Sequence, residues 1–337
     1  TTRGDSRYGG GGAPSFGGAS ASENAYYING FPVTTLLTQV GFSQLPFNSI
    51  AQAQVLTGGY GAEFGRSTGG VVNMITKRGG NDFEAGGAIT FEPDSLKASE
   101  RDQVYAANGS TLANRMYVYN RLNKQDRTVL SAYGSGALIK DKLFFFGAFE
   151  RTKTERDTIR LANTSANPVN LPAGFQERDV TIPRYLIKLD YAITDNHVLE
   201  YTKIGDTYKD DRKYYGFNYA TLTRNDTQAG GVSYENWGPT PVAAQQGADV
   251  DILKYTGFLT QDLTLTAVYG KTRTEHTQAP VGYNPAIPQV TFTGDARAPG
   301  ITYVEGVQTA TGNLLVPGAY DKNEGLRIDL EFKLNSS

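Results

Sequence analysis

Apolar and polar residues alternate with a period of two along most of the chain after residue 82. In the clearest segment, Leu326 to Leu334, five apolar side chains alternate with four charged ones. Successive side chains of a strand point to opposite faces, so this pattern predicts a strand with one apolar and one polar face. Similar alternation predicts about eight strands, at 83–91, 128–138, 143–151, 185–193, 197–207, 247–259, 263–276 and 326–334. Several approach the roughly nine to eleven residues that a tilted strand needs to cross a bilayer.

The connections between these strands alternate strictly between short and long. Short connections are expected at 139–142, 195–196 and 260–262, and long polar ones at 92–127, 152–182, 208–246 and 277–325. An antiparallel barrel of the outer-membrane type has short turns on one side and long loops on the other. A soluble β-sandwich also alternates apolar and polar residues and stays open as an alternative. Aromatic residues near strand ends favour the barrel: Phe144, Phe145, Phe146, Tyr185 and Tyr269.

The first 82 residues have a different texture. A glycine- and serine-rich lead-in occupies residues 1–22, and short mixed segments follow at 26–28, 54–57 and 71–76. Residues 46–50 are expected to start a short helix. We therefore expect a small α+β domain at 1–82, too glycine-rich to be very stable without support, followed by barrel strands at 83–337.

Composition excludes several classes of function. The 337-residue chain has a formal charge of −2, which argues against nucleic-acid binding. It has no cysteine and only two histidines, so neither a disulfide scaffold nor a thiolate or histidine metal site is expected, and we expect no cofactor. No apolar run is long enough for a membrane helix. No G-x-S-x-G or H-E-x-x-H motif occurs, and we expect no enzymatic activity.

One glycine-rich stretch, TGGYGAEFGRSTGGVVNMITKRGG at residues 57–80, raises the question of phosphate binding. A P-loop needs a lysine after the second glycine and a helix after that. Here the residues that follow, 71–76, are β-branched and strand-like. The glycines are therefore interpreted as backbone turns, and we expect Gly65 and Gly69 to adopt positive φ angles.

The ordered series NAYYINGFPV (24–33), IAQAQVLTGGYGAEFGRSTGGVVNMITKRGG (50–80) and alternating strands resembles the plug and first barrel strands of TonB-dependent outer-membrane receptors. The glycine-rich version is most similar to the Oar-like branch. The resemblance implies a plug inside a barrel of about twenty-two strands, so about eight strands form an incomplete barrel. No TonB-contacting segment is recognisable in residues 1–22, and the chain ends at Ser337 without a terminal aromatic, so we interpret it as an internal fragment.

The resemblance also assigns residues to the plug motif. Asn29 and Gly30 fall where the family has an Asp-Gly turn, and Glu63 and Arg66 sit close enough to pair with each other or with charges on a polar barrel wall. An ordinary solvated pair remains the alternative. The remaining members mark the tight turns: Gly59, Tyr60, Gly61, Gly65, Gly69 and Gly70.

The family implies a protein of the Gram-negative outer membrane that takes up a ligand when TonB pulls on the plug. Its expected partners are TonB, outer-membrane lipid and a ligand that the sequence does not identify. An extracellular β-structured adhesin and a soluble β-sandwich binding protein remain the alternatives.

Overall fold

The computed structural model describes residues 2–4, 12–14, 16, 18–36, 43–61, 64–65, 67–236, 247–280 and 319–334. These residues are mostly β-strand. The helical segments among them are four 3-10 turns: Ala21–Glu23, Phe47–Ser49, Asp94–Leu96 and Asn120–Leu122. None of these turns has the length or apolar character to pass through a membrane.

The N-terminal part contains a small four-stranded sheet. Strands β1 (Thr2–Gly4) and β2 (Gly12–Pro14) pair separately. The sheet itself has the order β4-β3-β6-β5 and consists of β3 (Ala25–Ile28), β4 (Phe31–Pro32), β5 (Ile50–Leu56) and β6 (Val71–Thr76). Its central strands β3 and β6 are parallel, and the other pairs are antiparallel. The helix expected at 46–50 is a single 3-10 turn.

The second part of the chain forms an eleven-stranded antiparallel sheet, and every strand expected from the alternation is present. The first members along the chain are β7 (Glu84–Glu92), β10 (Lys124–Ile139), β11 (Leu143–Ile159), β12 (Asn170–Thr194), β13 (His197–Asp206) and β14 (Lys209–Asn218). The others are β15 (Thr223–Glu235), β16 (Ala248–Phe258), β17 (Leu263–Glu275), β18 (Thr277–Pro280) and β19 (Tyr320–Phe332). A separate pair, β8 (Gln103–Val104) and β9 (Met116–Val118), lies between β7 and β10.

The eleven strands amount to eight long ones. β13 pairs with residues 184–194 of β12, its lower half, and β14 pairs with residues 170–181, its upper half. The register does not change between the two pairings, so β13 and β14 act as one long strand. On the next strand, β15 pairs with β14 and β16 with β13, and residues 236–247 separate the two halves. Likewise β17 and β18 pair with β16 and β15 on either side of His276. This agrees with the expectation of about eight strands.

The long connections are shorter than expected, because the strands continue beyond the apolar segments. The connection expected at 152–182 narrows to residues 160–169, since β11 reaches Ile159 and β12 starts at Asn170. The one expected at 208–246 contains the whole of β14 and β15. These upper segments carry polar residues on both faces, so they lack the alternation of the lower segments. The interpretation of these ranges as loops is therefore wrong.

The large sheet, called the wall from here on, has an outward face and an inward face that carries the small sheet. Outward apolar side chains remain exposed, including Ile89, Phe91, Ile187, Leu326, Ile328 and Leu330. On the inward face, Phe146, Leu186, Ile204, Val250 and Ile252 pack against Tyr26, Ile28, Phe31, Val33 and Met74 of the small sheet. The expectation of a polar wall is thus corrected, because the wall has an apolar centre where it meets the small sheet and polar residues around it.

Candidate functional site: the interface between the small domain and the wall

A turn of the small domain touches the wall at two places. Asn29 and Gly30 adopt left-handed φ angles of 50° and 81°, which an Asn-Gly pair tolerates in a two-residue turn between β3 and β4. The Asn29 side chain donates to Thr202 Oγ1 of β13 at 3.2 Å. The Gly30 carbonyl accepts from Arg327 Nη1 of β19 at 3.1 Å. The expected turn is confirmed by these angles, and it bridges wall strands that are distant in sequence.

One tyrosine of the small sheet contacts the glycine motif, and a second tyrosine connects two parts of the motif. Tyr27 donates to the Gly65 carbonyl at 2.7 Å, and Tyr60 donates to the Gly69 carbonyl at 3.2 Å. Among the motif glycines at 58–61, 65 and 69–70, positive φ occurs at Gly59 (67°). The expectation of positive φ at Gly65 and Gly69 is therefore wrong.

Two motif glycines are instead required by close packing. A Cβ on Gly70 would overlap the ring of Phe16, and one on Gly69 would lie 2.8 Å from Asn24 Oδ1. The same Asn24 oxygen accepts from the Gly70 amide at 3.0 Å. Among the described residues, no atom lies within 4 Å of a Cβ placed on Gly65. Gly61 lies in a segment without regular structure. Glu63 and Arg66 lie outside the described residues, so their pairing stays a prediction.

Three charged side chains of the wall, Arg184, Asp206 and Glu150, form an ion-pair cluster that contacts the segment before β5. We call this cluster the clamp. Arg184 of β12 lies 2.9 Å from Asp206 and 3.2 Å from Glu150, and all three side chains are largely buried. The two carboxylates also accept hydrogen bonds from backbone amides of the small domain. Gln44 N donates to Asp206 at 2.9 Å, and Phe47 N donates to Glu150 at 3.0 Å. The wall carboxylates thereby supply charge-assisted acceptors for two backbone amides of the small domain.

A second charged cluster lies lower on the wall, directly after β6. Glu200 of β13 contacts Arg78 of the small domain at 2.5 Å, Lys188 at 3.1 Å and Lys254 at 3.4 Å. Asp190, opposite Glu200 in the β12–β13 pairing, lies 3.7 Å from both Lys188 and Arg78. The cluster borders a cavity of about 1420 Å³ between the small domain and the wall. Charges of both signs thus line the space through which the domain contacts the wall.

The arrangement is suited to reversible docking of one domain against another. The apolar centre supplies non-directional attraction, and the surrounding ion pairs fix the orientation. Within the described ranges, no group of three or more histidine, aspartate or glutamate side chains is placed to hold a metal ion.

The wall residues of this interface were not identified from the sequence. Arg184, Glu150 and Asp206 meet Gln44 and Phe47 across more than a hundred residues of chain. The one available signal was a charged residue at alternate positions of strands whose other inward residues are apolar. Such residues equally suit a solvated face, so the pattern alone did not separate them.

Comparison with known proteins defines the class. Residues 1–72 match the model of the TonB-dependent receptor plug domain. Over 212 residues the chain is 27% identical to the TonB-dependent transporter Oar of Myxococcus xanthus, covering 57% of this chain and 19% of the relative. The chain therefore contains a TonB-dependent receptor plug domain, and its predicted similarity to outer-membrane receptors of the Oar-like branch is confirmed.

Two solved structures align with parts of this chain. The outer-membrane transporter YddB of Escherichia coli aligns with a TM-score of 0.49 at 14% identity, over 79% of this chain and 33% of that one. The siderophore receptor PiuA of Acinetobacter baumannii aligns with a TM-score of 0.41 at 17% identity, over 83% of this chain and 42% of that one. The chain thus spans less than half the length of each of these proteins and about a fifth of Oar. From here on, the small N-terminal domain is called the plug.

Proposed function

We propose that this chain forms the plug and part of the barrel of a receptor that imports a ligand across the outer membrane with energy from TonB. The observation that carries the proposal is the docking of a small separate domain on the inward face of a sheet whose outward face is apolar. A domain held by rim ion pairs and a limited apolar centre can shift without unfolding the wall. The proposed division between plug and barrel lies near residue 82, between β6 and β7.

The proposed role of the plug motif is to keep the plug compact while its contacts with the wall break and re-form. Tyr60, Gly69 and Gly70 tie the glycine loop to the plug sheet, and Asn29 and Gly30 contact the wall. We assign Gly59, Gly61 and Gly65 to the loop itself, and Glu63 and Arg66 to contacts within the plug or with the wall. Catalysis is not part of this proposal.

An uptake assay with the full-length receptor tests the function. Strains with and without the receptor, and with and without TonB, are supplied with iron chelates, glycans or peptides as the sole source of iron or carbon. Growth is then compared among these strains. We expect one class of compound to support growth only when both receptor and TonB are present. Growth that is independent of TonB on every compound would contradict energised import.

A disulfide that tethers the plug to the wall provides a matched structural test. Cysteines at Gln44 and Asp206 replace a contact that joins plug and wall in the docked state. Uptake should fall when the disulfide forms and recover on reduction, because the plug can then move again. Cysteines at Asp126 and Glu155, which pair across two wall strands, serve as the control and should leave uptake unchanged.

A further inference from the structure

Above the plug, the inward face of the wall carries two arginines that share one buried carboxylate. Asp210 of β14 is fully buried, and both of its oxygens accept hydrogen bonds from each guanidinium. Arg178 donates to it at 2.7 and 2.8 Å, and Arg212 at 2.6 and 3.0 Å. Tyr208 adds a hydrogen bond at 3.0 Å. The carboxylate thus fixes the planes of both guanidinium groups.

The side of the wall on which this cluster lies follows from the strand pairing. Arg178 stands on β12 at the same parity as Arg184, which contacts the plug, and it is the register partner of Arg212. Residues of equal parity in one strand share a face. The cluster therefore points into the lumen, about 20 Å further along the strand than the plug clamp, at roughly 3.3 Å per residue.

The cluster carries one positive charge in excess. Within the described residues, the ion pairs of Arg178 and Arg212 are both with Asp210. The nearest other inward carboxylate on this strand pair, Asp206, is already paired with Arg184 at 2.9 Å. Two cations face one anion, and the side chains of Arg178 and Arg212 are 29% and 12% exposed. A partly buried charge without a counter-charge is costly unless an anion approaches it.

The chemistry of the remaining donors specifies what kind of anion fits. Each guanidinium uses its Nε and Nη2 atoms on Asp210, and within the described residues Nη1 of neither arginine is engaged. Fixed guanidinium edges recognise oxyanions through paired hydrogen bonds. The guanidinium of Arg212 also lies 5.1 Å from the centre of the Tyr234 ring, which restricts its movement.

We propose that Arg178 and Arg212 form a lumenal binding site for an oxyanion group, a carboxylate or a phosphate, on the molecule that enters the receptor. Asp210 acts as the fixed element that orients the two arginines and lowers their net charge to one. The inference rests on the proposed import function only for the direction from which the ligand arrives.

The site is tested in the purified full-length receptor by the rate at which phenylglyoxal labels individual arginines, read by peptide mass spectrometry. Inorganic phosphate or succinate is added at constant ionic strength, with chloride as the reference anion. We expect saturable protection of Arg178 by at least about threefold from one or both anions, because a bound oxyanion covers its free edge. Protection by phosphate alone or succinate alone identifies which oxyanion chemistry the site prefers.

Arg224 provides the matched control. It lies on the opposite face of the same sheet, its side chain is 34% exposed, and it pairs with Glu177. Equal protection of Arg224 and Arg178, or no protection of Arg178 by either anion, would overturn the site. Because labelling needs no energised transport, the result stays separate from the uptake assay.

Variants of Asp210 and Arg212 distinguish an anion-binding role of the arginine pair from a role in the fold alone. Removing the fixed carboxylate leaves two charges for the soluble anion, so the concentration that half-protects Arg178 should fall by about tenfold. Arg212→Gln should raise that concentration. If Arg212→Gln leaves the concentration that half-protects Arg178 unchanged in a receptor that still holds its plug, the two arginines do not bind the anion together and the proposal fails.

Discussion

At the scale of single residues, Arg184 pairs with the two wall carboxylates that accept hydrogen bonds from plug amides. It pairs with Glu150 and Asp206 and donates to Gln44 Oε1 at 2.6 Å. In Arg184→Met, two largely buried carboxylates lose their cation, and we expect a loss of about 3–5 kcal/mol in unfolding free energy. Hydrogen exchange at the amides of Gln44 and Phe47 should become faster, because their acceptors are no longer held in place.

The control for this change is Arg127→Gln. Arg127 pairs with Glu92 at 2.7 Å, but both side chains are about 40% exposed. An exposed pair contributes about 0–1 kcal/mol, so this variant should unfold close to the wild type. A comparable loss in both variants would show that burial of the clamp is not what stabilises it.

The Asn-Gly turn gives a second residue-scale prediction. Gly30 has a φ of 81°, and a Cβ there would lie 3.3 Å from Arg327 Nη2. Gly30→Ala should cost about 1–2 kcal/mol, because an L side chain resists the left-handed conformation. Gly65→Ala, with open space and no positive φ, should cost less than about 0.5 kcal/mol. Denaturant unfolding of the full-length receptor measures both, and a reversed order would contradict the turn geometry.

The buried carboxylate of Asp210 gives a pH-dependent prediction. Burial acts to raise its pKa, but the hydrogen bonds from Arg212 and Arg178 lower the pKa below its usual 3.8. A lowered folded-state pKa adds stability above the unfolded pKa, and this stability is lost as the pH falls through the folded pKa. Wild type should therefore exceed Asp210→Asn by about 2–3 kcal/mol at pH 7.

This stability difference should stay constant down to about pH 4 and shrink below it. Urea unfolding of the receptor between pH 7 and pH 3 measures it. Asp211→Asn, on the exposed opposite face of β14, should leave the unfolding free energy unchanged at every pH. A difference that grows as the pH falls would contradict the ion pairing.

Some of these residues could be predicted from the sequence and others could not. The Asn29–Gly30 turn is encoded locally, because both residues tolerate positive φ and the flanking segments are strands. Gly69 and Gly70 were identified as necessary, but their reason is contact with Asn24 and Phe16 rather than backbone angle. The partners of Arg184 depend on how distant strands are brought together, which residue spacing does not contain.

At the scale of elements, β19 tests whether the outward face meets lipid. Leu326 and Leu330 are each 65% exposed on that face, while Arg327 and Asp329 point inward and pair with each other at 2.8 Å. Leu330 lies in the middle of the apolar stretch. In lipid vesicles, Leu330→Arg should cost the complete receptor roughly 2–4 kcal/mol, and Leu326→Arg, near the interface, roughly 0–1 kcal/mol.

Two further variants of β19 act as controls. Leu330→Ala keeps the position apolar and should be milder than Leu330→Arg. Asp329 faces the plug, so Asp329→Asn should leave assembly intact. Equal cost at Leu330 and Leu326, or a dominant effect at Asp329, would show that this strand does not span the membrane.

Strands within the apolar band were predictable from alternation, and their polar extensions were not. In β14, lysine, arginine and aspartate occupy both faces of the strand. No period of two survives there. In the lower wall, alternation located the strands correctly but hid the apolar inward patch, because Leu186 and Ile187 make both faces apolar.

At the scale of the whole molecule, the part of the sheet that the structure describes has edge strands with one paired neighbour each. β7 pairs with β10 at one edge and β19 pairs with β17 at the other. Unpaired backbone groups cannot be satisfied in hydrocarbon. The 337-residue chain expressed alone should therefore aggregate in plain buffer, as measured by sedimentation and light scattering.

Full-length receptor in detergent is the reference for this test. It should give one monodisperse species whose gel mobility changes on heating, as expected for a closed barrel. A monodisperse, protease-resistant monomer of the isolated chain in plain buffer would favour the soluble β-sandwich instead.

The height of the wall has a consequence for how the cell surface presents this protein. Above Tyr185, β12 continues for fifteen residues to Asn170, roughly 50 Å along the strand and roughly 35 Å along the membrane normal at a tilt of about 45°. At that tip Phe175, Phe217 and Tyr219 are buried, with Met116 and Tyr119 from the β7–β10 connection packed against them. An antibody raised against the folded tip should therefore bind living cells, whereas one raised against the denatured chain should not find its epitope.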